Sequence, residues 1–260
     1  MTTVRDIYNE IDRIAPFSLQ ESYDNSGLII GNGNNEVKRA EIALDVTEDI
    51  ALDAVKSGTD LIITHHPIIF NPLKRIDTTT PLGILLAGNV SVISAHTNFD
   101  SAVMNDILCE KIGLNIIEPL VVEDGTPIGY VCELEQETAV KDLAKRVKSA
   151  LGNKVVRYND LGSTQKHADK RIMRVAVCSG SGGSLLGEVM AKGCDAYITG
   201  DVKHDVFIDA HNAGVCVFDA GHFHTENIFC EYMKNALAAE FDDVQFEIAK
   251  SNRDILEYEI

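Results

Sequence analysis

The chain has 260 residues, 45% hydrophobic and 24% charged, which suits a globular protein of one large domain or two lobes. A net charge of −17 and a pI near 4.8 disfavour a broad surface that tracks the phosphates of a nucleic-acid duplex, but do not exclude a small phosphate-bearing ligand held by a metal. No apolar run reaches the ~20 residues of a membrane span, and the first residues lack the pattern of a secretory signal. Six widely spaced cysteines without a Cys-x-x-Cys pair read as buried reduced thiols, so a cytoplasmic location is expected.

In chain order, Thr3-Val4-Arg5-Asp6 has the capping-box pattern and opens a helix that buries Ile7, Ile11 and Ile14. A strand over 40–44 leads to Thr47, an N-cap with Glu48 and Asp49 in the first turn. The helix that follows carries Ile50, Ala51, Ala54 and Val55 and ends near Gly58. Leu61-Ile62-Ile63 is a strand running into Thr64-His65-His66-Pro67, and Val92–Ala95 runs into His96-Thr97-Asn98-Phe99-Asp100. Residues 126–171 read as an extra β-α-β piece, with a strand over Ile128–Leu134 and a helix striped by Val140, Leu143, Ala144, Val147 and Leu151. Residues 159–171 are expected as an exposed loop. Val215–Phe218 then runs into Asp219-Ala220-Gly221-His222-Phe223-His224-Thr225-Glu226.

The chain contains a degenerate duplication. Residues 39–64 lie against 174–199 at an offset of 135, and residues 90–108 lie against 215–233 at an offset of 125. Arg39 meets Arg174, Asp60 meets Asp195 and Thr64 meets Thr199. Apolar strands separated by helices belong in sheets covered by helices. The expected fold class is α/β: two pseudo-repeated β-α-β lobes with parallel or mixed sheets, over 1–125 (repeat 39–108) and 126–260 (repeat 174–233).

Three strands end in imidazoles and carboxylates, where α/β proteins hold ligands, and the donors suit a two-metal cluster. His65-His66 corresponds to Gly200-Asp201 and Asp100 to Thr225, so an approximate two-fold would gather these strand ends at the junction of the lobes. His222 and Glu226 stand four apart and share a helix face. Plainer readings stand beside these. A lone His-His pair is more often structural than ligating, and His96 reads as orienting a carboxylate rather than ligating. His204 and His224 are open between a cavity and the surface, and His167 and His211 read as solvated. Asp24 and Asn25 fit either a cavity wall or an Asx turn, and Asp45 either the cavity or the turn into its helix. Gly180-Ser181-Gly182-Gly183-Ser184 resembles a phosphate cradle but lacks a Walker lysine.

The series Glu21–Leu28, Asp45-Val46-Thr47, Thr64–Pro67, Ala95–Asp100, Thr199-Gly200-Asp201-Val202-Lys203-His204 and Asp219–Glu226 resembles the Nif-three-like family of dinuclear metal centre hexameric proteins, homologues of type 2 GTP cyclohydrolase I. The resemblance covers nearly the whole chain. It implies two divalent ions per chain (zinc, manganese, iron or nickel) held by His65, His66, Asp100, His222 and Glu226, and a toroidal homohexamer. The chain departs from the family at Gly125–Tyr130, where a glycine- and arginine-bearing stretch is usual, and in carrying His224 inside the last motif.

Two functions follow. One is a metal-dependent hydrolase of a nucleotide-like or phosphorylated small molecule, with Asp201 and His204 as the catalytic candidates beside Lys203. The other is a non-catalytic hexamer that stores metal or acts as a scaffold. No Ser-His-Asp or Cys-His arrangement competes with a metal centre.

Overall fold

A computed structural model describes residues 1–123, 125–159, 161 and 170–259. His167 and most of the loop expected over 159–171 lie outside the described residues. Two compact units emerge: Met1–Val103 with Phe229–Arg253, and Met104–Ile228 with Asp254–Ile260. Both are discontinuous in the chain, whereas the sequence reading makes a single cut after residue 125.

The first unit contains a five-stranded sheet in the order Gly27–Ile30, Ser91–Ser94, Leu61–Thr64, Arg39–Ala43, Gln245–Ile248. Gly27–Ile30 is antiparallel to its neighbour and the other pairs are parallel. Helix Val4–Ile14 has the expected capping box, with the Thr3 side chain accepting from the Asp6 amide. It buries Val4, Ile7 and Ile11 and leaves Ile14 half-buried. Helix Glu48–Ser57 is capped by the Thr47 side chain, which accepts from the Ile50 amide, and ends on left-handed Gly58. Its Ile50, Ala51 and Ala54 pack with Leu82 and Leu85 of helix Pro81–Ala87 against Ala43, Ile62 and Val92 of the sheet.

The second unit contains a six-stranded sheet in the order Asn115–Glu123, Thr126–Ala139, Arg171–Val177, Ala196–Thr199, Cys216–Asp219, Arg157–Tyr158. Its three central strands, Arg171–Val177, Ala196–Thr199 and Cys216–Asp219, are parallel. Thr126–Ala139 is longer than the strand expected over 128–134 because it pairs antiparallel on both sides. One partner, Asn115–Glu123, lies at the edge and leaves Ile116, Ile117 and Val122 exposed, so no buried face marks it as a strand in the sequence. Helix Val140–Leu151 buries Leu143, Ala144, Val147 and Leu151, as its stripe predicts.

The duplication is exact at the level of pairing. Ala40 pairs with Leu61 and Val175 with Ala196; Leu61 pairs with Ser91 and Ala196 with Cys216. Asp60 accepts the amides of Lys38 and Arg39 at 2.8 and 3.0 Å, and Asp195 accepts those of Met173 and Arg174 at 3.1 and 3.0 Å. The Val90 amide donates to Leu85 and the Val215 amide to Ala210. The six cysteines are buried thiols. Among the described residues no helix is long and apolar enough to cross a membrane.

Candidate metal centre

His65 and His66 follow the buried strand Leu61–Thr64, whose end is tied to its neighbours. The His66 amide donates to the Leu44 carbonyl at 3.0 Å and the Ala95 amide to the Thr64 carbonyl at 2.9 Å. His65 is fully buried, with Nδ1 2.9 Å from the Ala95 carbonyl and its ring 5.4 Å from that of Phe229. His66 places Nδ1 2.7 Å from Asp45 Oδ1. Asp45 is therefore neither idle nor simply the start of a turn: it orients an imidazole. Asp100 opens a π-helical turn, Asp100–Met104, between Thr97–Phe99 and Asn105–Ile112. Such turns recur at functional sites, and this one sets Asp100 Oδ1 3.5 Å from His65 Nε2.

In the second unit His222 opens the short helix His222–Glu226 after strand Cys216–Asp219. Its Nδ1 lies 2.8 Å from Asp201 Oδ2, and its Nε2 lies 2.9 Å from Glu226 Oε2 one helical turn on. Asp201 holds φ at 52°, a left-handed conformation that Asp adopts more readily than most residues. Asp219 orders the approach, accepting the amides of Gly221 at 3.0 Å and Val202 at 3.1 Å and pairing with Arg157. Glu226 is buried, and glycine makes room for it: a Cβ on Gly180 would sit 2.2 Å from Glu226 Oε1.

Two of the amides in the cradle-like stretch 180–184 are engaged inside the fold. The Gly180 amide donates to Thr225 Oγ1 at 3.0 Å and the Gly182 amide to Thr199 Oγ1 at 2.9 Å. The Tyr197 hydroxyl donates to the Gly182 carbonyl at 2.7 Å. With these two amides committed, Gly180 packs against Glu226.

The donors fit divalent ions. Two ligands about 2.1 Å from one ion lie roughly 3.0–3.4 Å apart, close to the 3.5 Å of His65 with Asp100 and the 2.9 Å of His222 with Glu226. With Nδ1 engaged by a carbonyl or a carboxylate, Nε2 is the nitrogen that can ligate, and such outer partners fix the ring and raise its basicity. The sequence reading weighed Asp45 and Asp24 without assigning either to a histidine, because those partnerships form only when strand ends meet.

The remaining histidines separate. His96 lies beside His65 and His66, with ring centroids 5.1 and 5.4 Å away. His204 is exposed at the start of helix His204–Ala213, and among the described residues it joins no cluster of ligating side chains. His224 is partly buried with Nε2 3.4 Å from Asp254; burial pushes its imidazole pKa down and Asp254 opposes that. His211 sits half-buried in the last turn of its helix. A cavity of about 370 Å³ opens beside His66 and Asp45, walled by Val46, Ile68, Leu73 and Leu82.

Comparison with known proteins agrees with the strand-end motifs. A Clostridium perfringens protein described as a GTP cyclohydrolase 1 type 2 homolog is 34% identical, covering 98% of this chain and 99% of its own length. A Helicobacter pylori protein described as GTP cyclohydrolase 1 type 2 is 38% identical, covering 88% of this chain and 89% of its own. The crystal structure of a Bacillus cereus protein related to NIF3 shares the fold, with a TM-score of 0.88, 22% identity and 99% of both chains covered. The Duf34/NIF3 (NGG1p interacting factor 3) family model matches residues 2–255, and the chain belongs to that family.

Proposed function

We propose that this chain holds two divalent ions through His65, His66, Asp100, His222 and Glu226, and that it acts as a metal-dependent hydrolase on a nucleotide-like or phosphorylated small molecule. The observation that carries the reading is the anchoring of each ligating imidazole through Nδ1: His65 by the Ala95 carbonyl, His66 by Asp45 and His222 by Asp201. Three rings turned the same way chemically are what a metal requires and what a surface histidine does not. When bound, the ions would supply Lewis acidity and lower the pKa of water toward ~7.

The chain's own residues supply position and room. Asp201 is better placed to hold His222 than to move a proton, and exposed His204 is the residue that could meet a substrate from solvent. The cavity beside His66 falls in the size range of small-molecule sites, roughly 300–1,000 Å³, and its wall combines Asp45, His66 and Thr80 with the apolar Val46, Ile68, Leu73 and Leu82. That cavity favours hydrolysis over the alternative, a storage or scaffold protein. The same centre in a ring of six chains is the assembly we propose, and light scattering should then give a mass several times 28.4 kDa.

The test is a panel of nucleotides and phosphoesters with metal-loaded protein against a His66→Ala control. Turnover present in the first and absent in the second supports the hydrolase. Metal-replete protein that turns over none of them favours storage or scaffolding.

A further inference from the structure

The duplication contains an arginine that is fully engaged in one copy and not in the other. In the second unit Arg174 Nε donates to the Lys192 carbonyl at 3.1 Å, and a terminal nitrogen donates to Glu118 Oε1 at 2.5 Å. Its other terminal nitrogen lies 3.6 Å from Glu133. The Lys192 ammonium donates to Glu118 Oε2 at 2.5 Å, so one carboxylate bridges an arginine and a lysine. The counterpart, Arg39, begins strand Arg39–Ala43 in the first unit. A terminal nitrogen of Arg39 donates to Glu247 at 2.8 Å, but its Nε is buried without a hydrogen-bond partner. Glu41 Oε1 stands 3.7 Å from that Nε, beyond hydrogen-bond reach. It already accepts the hydroxyls of Thr59 at 2.8 Å and Ser57 at 3.2 Å.

Beside Arg39 the first unit has a cavity of about 290 Å³. Lys56 and Lys250 stand on its wall, both exposed, and among the described residues neither forms an ion pair. The carboxylates there are already engaged: Glu247 by Arg39, Glu41 by two hydroxyls, and Asp53 by the Ser251 hydroxyl at 2.6 Å. The unused hydrogen-bonding capacity is therefore cationic, two ammoniums and one guanidinium nitrogen. We propose that this cavity binds a small monocarboxylate, which engages Arg39 and a lysine as Glu118 engages Arg174 and Lys192. Charge-assisted bonds from ammonium and guanidinium groups are short and strong, and the planar fork of arginine matches a carboxylate. The carboxylates on the same wall disfavour an anion of higher charge, such as phosphate. Ile248, exposed on that wall, offers an apolar contact to a short alkyl chain. Every residue of this cavity belongs to the first unit, and none is among the five metal donors. Arg39 starts the strand whose opposite end leads to Asp45, so the cavity and the metal centre are separate sites.

The experiment is equilibrium dialysis of the full-length, metal-loaded protein against radiolabelled butyrate, with inorganic phosphate as the contrasting anion. A single class of saturable butyrate sites is expected. Lys56→Glu and Lys250→Glu, at exposed positions without an ion pair to lose, should each weaken binding roughly tenfold or more, the loss expected of a charge-assisted hydrogen bond. Arg39→Lys keeps the charge but removes the fork, and should weaken binding as well. Circular dichroism confirms the fold of each variant. Removing the metal, or introducing His66→Ala, should leave butyrate binding unchanged, so this site and the metal centre fail or stand independently. No saturable binding to wild type would overturn the proposal, as would binding indifferent to both lysine variants. Binding that disappears with the metal or in His66→Ala would place butyrate on the metal instead and also overturn it. Phosphate that binds more tightly than butyrate would overturn the carboxylate assignment. A wild type that binds no butyrate, and whose mass by light scattering falls on Lys56→Glu, would assign the cavity to an acidic side chain of a second copy.

Discussion

The two units solve one problem on different strands. Each sets a carboxylate and an imidazole 21 residues apart at the ends of neighbouring parallel strands, Asp45 with His66 in the first and Asp201 with His222 in the second. In the register of the duplication, however, His66 is the counterpart of Asp201, not of His222. The imidazole of one copy stands where the other carries its orienting carboxylate, so the pair has moved one strand along the sheet. Asp45 has Gly180 as its counterpart, and the space a side chain would need there is taken by Glu226. A duplicated scaffold keeps the places where strands end, while the donors at those places are chosen separately.

The sharpest way to break this comparison is to remove the donor that occupies the space opposite Gly180. Glu226→Gln should lower metal content from about two ions per chain toward one or none, because an amide is a poor substitute for a carboxylate. Elemental analysis that still finds two would take Glu226 out of the centre. Gly180→Ala comes next. It combines φ of 60° with a Cβ 2.2 Å from Glu226 Oε1, so a loss of about 1–3 kcal/mol of stability and weaker metal binding are expected. Gly187→Ala, in helix Leu186–Ala191 with no atom within 4 Å of the added methyl, should instead gain roughly 0.4–1 kcal/mol. Equal denaturation midpoints for the two would mean position 180 is not kept empty for Glu226.

Asp45→Asn and Asp201→Asn test the paired strand ends directly. Each should weaken metal binding about 10–100-fold without unfolding the chain, since Asn also tolerates the left-handed backbone of Asp201. Calorimetric affinities that differ by orders of magnitude between them would end the equivalence. The smallest effect concerns Asp195. Burial would raise its pKa, but Lys170 and the Arg174 and Met173 amides overcome that and hold it low. Its stabilisation is therefore complete above the unfolded value near ~3.9 and is lost as pH falls through the lower folded value. The gap in stability between wild type and Asp195→Asn should be flat above about pH 5 and shrink in acid; a gap that widens in acid would contradict the sign.

Much of this was legible in the chain. Thr3, Thr47 and Gly58 mark helix ends through local hydrogen bonding, and local rules suffice there. The offsets between the copies carry the strand register, because a duplicated pattern of apolar residues folds with the same pairing. The edge strand Asn115–Glu123 was not legible, since mostly exposed residues on both faces leave no periodic signal.

The sequence by itself determined which residue types stand at which strand ends, because alternation of apolar strands and helices places them there whatever lies around them. Only the tertiary structure decided what each does. Asp24 and His96 are 72 residues apart and meet through a loop packed on a strand end. His204 and His222 look alike in the chain, yet one begins a solvent-facing helix and the other is clasped between Asp201 and Glu226. An imidazole is oriented by the acceptor on one of its nitrogens, and chain folding supplies that acceptor from distant sequence.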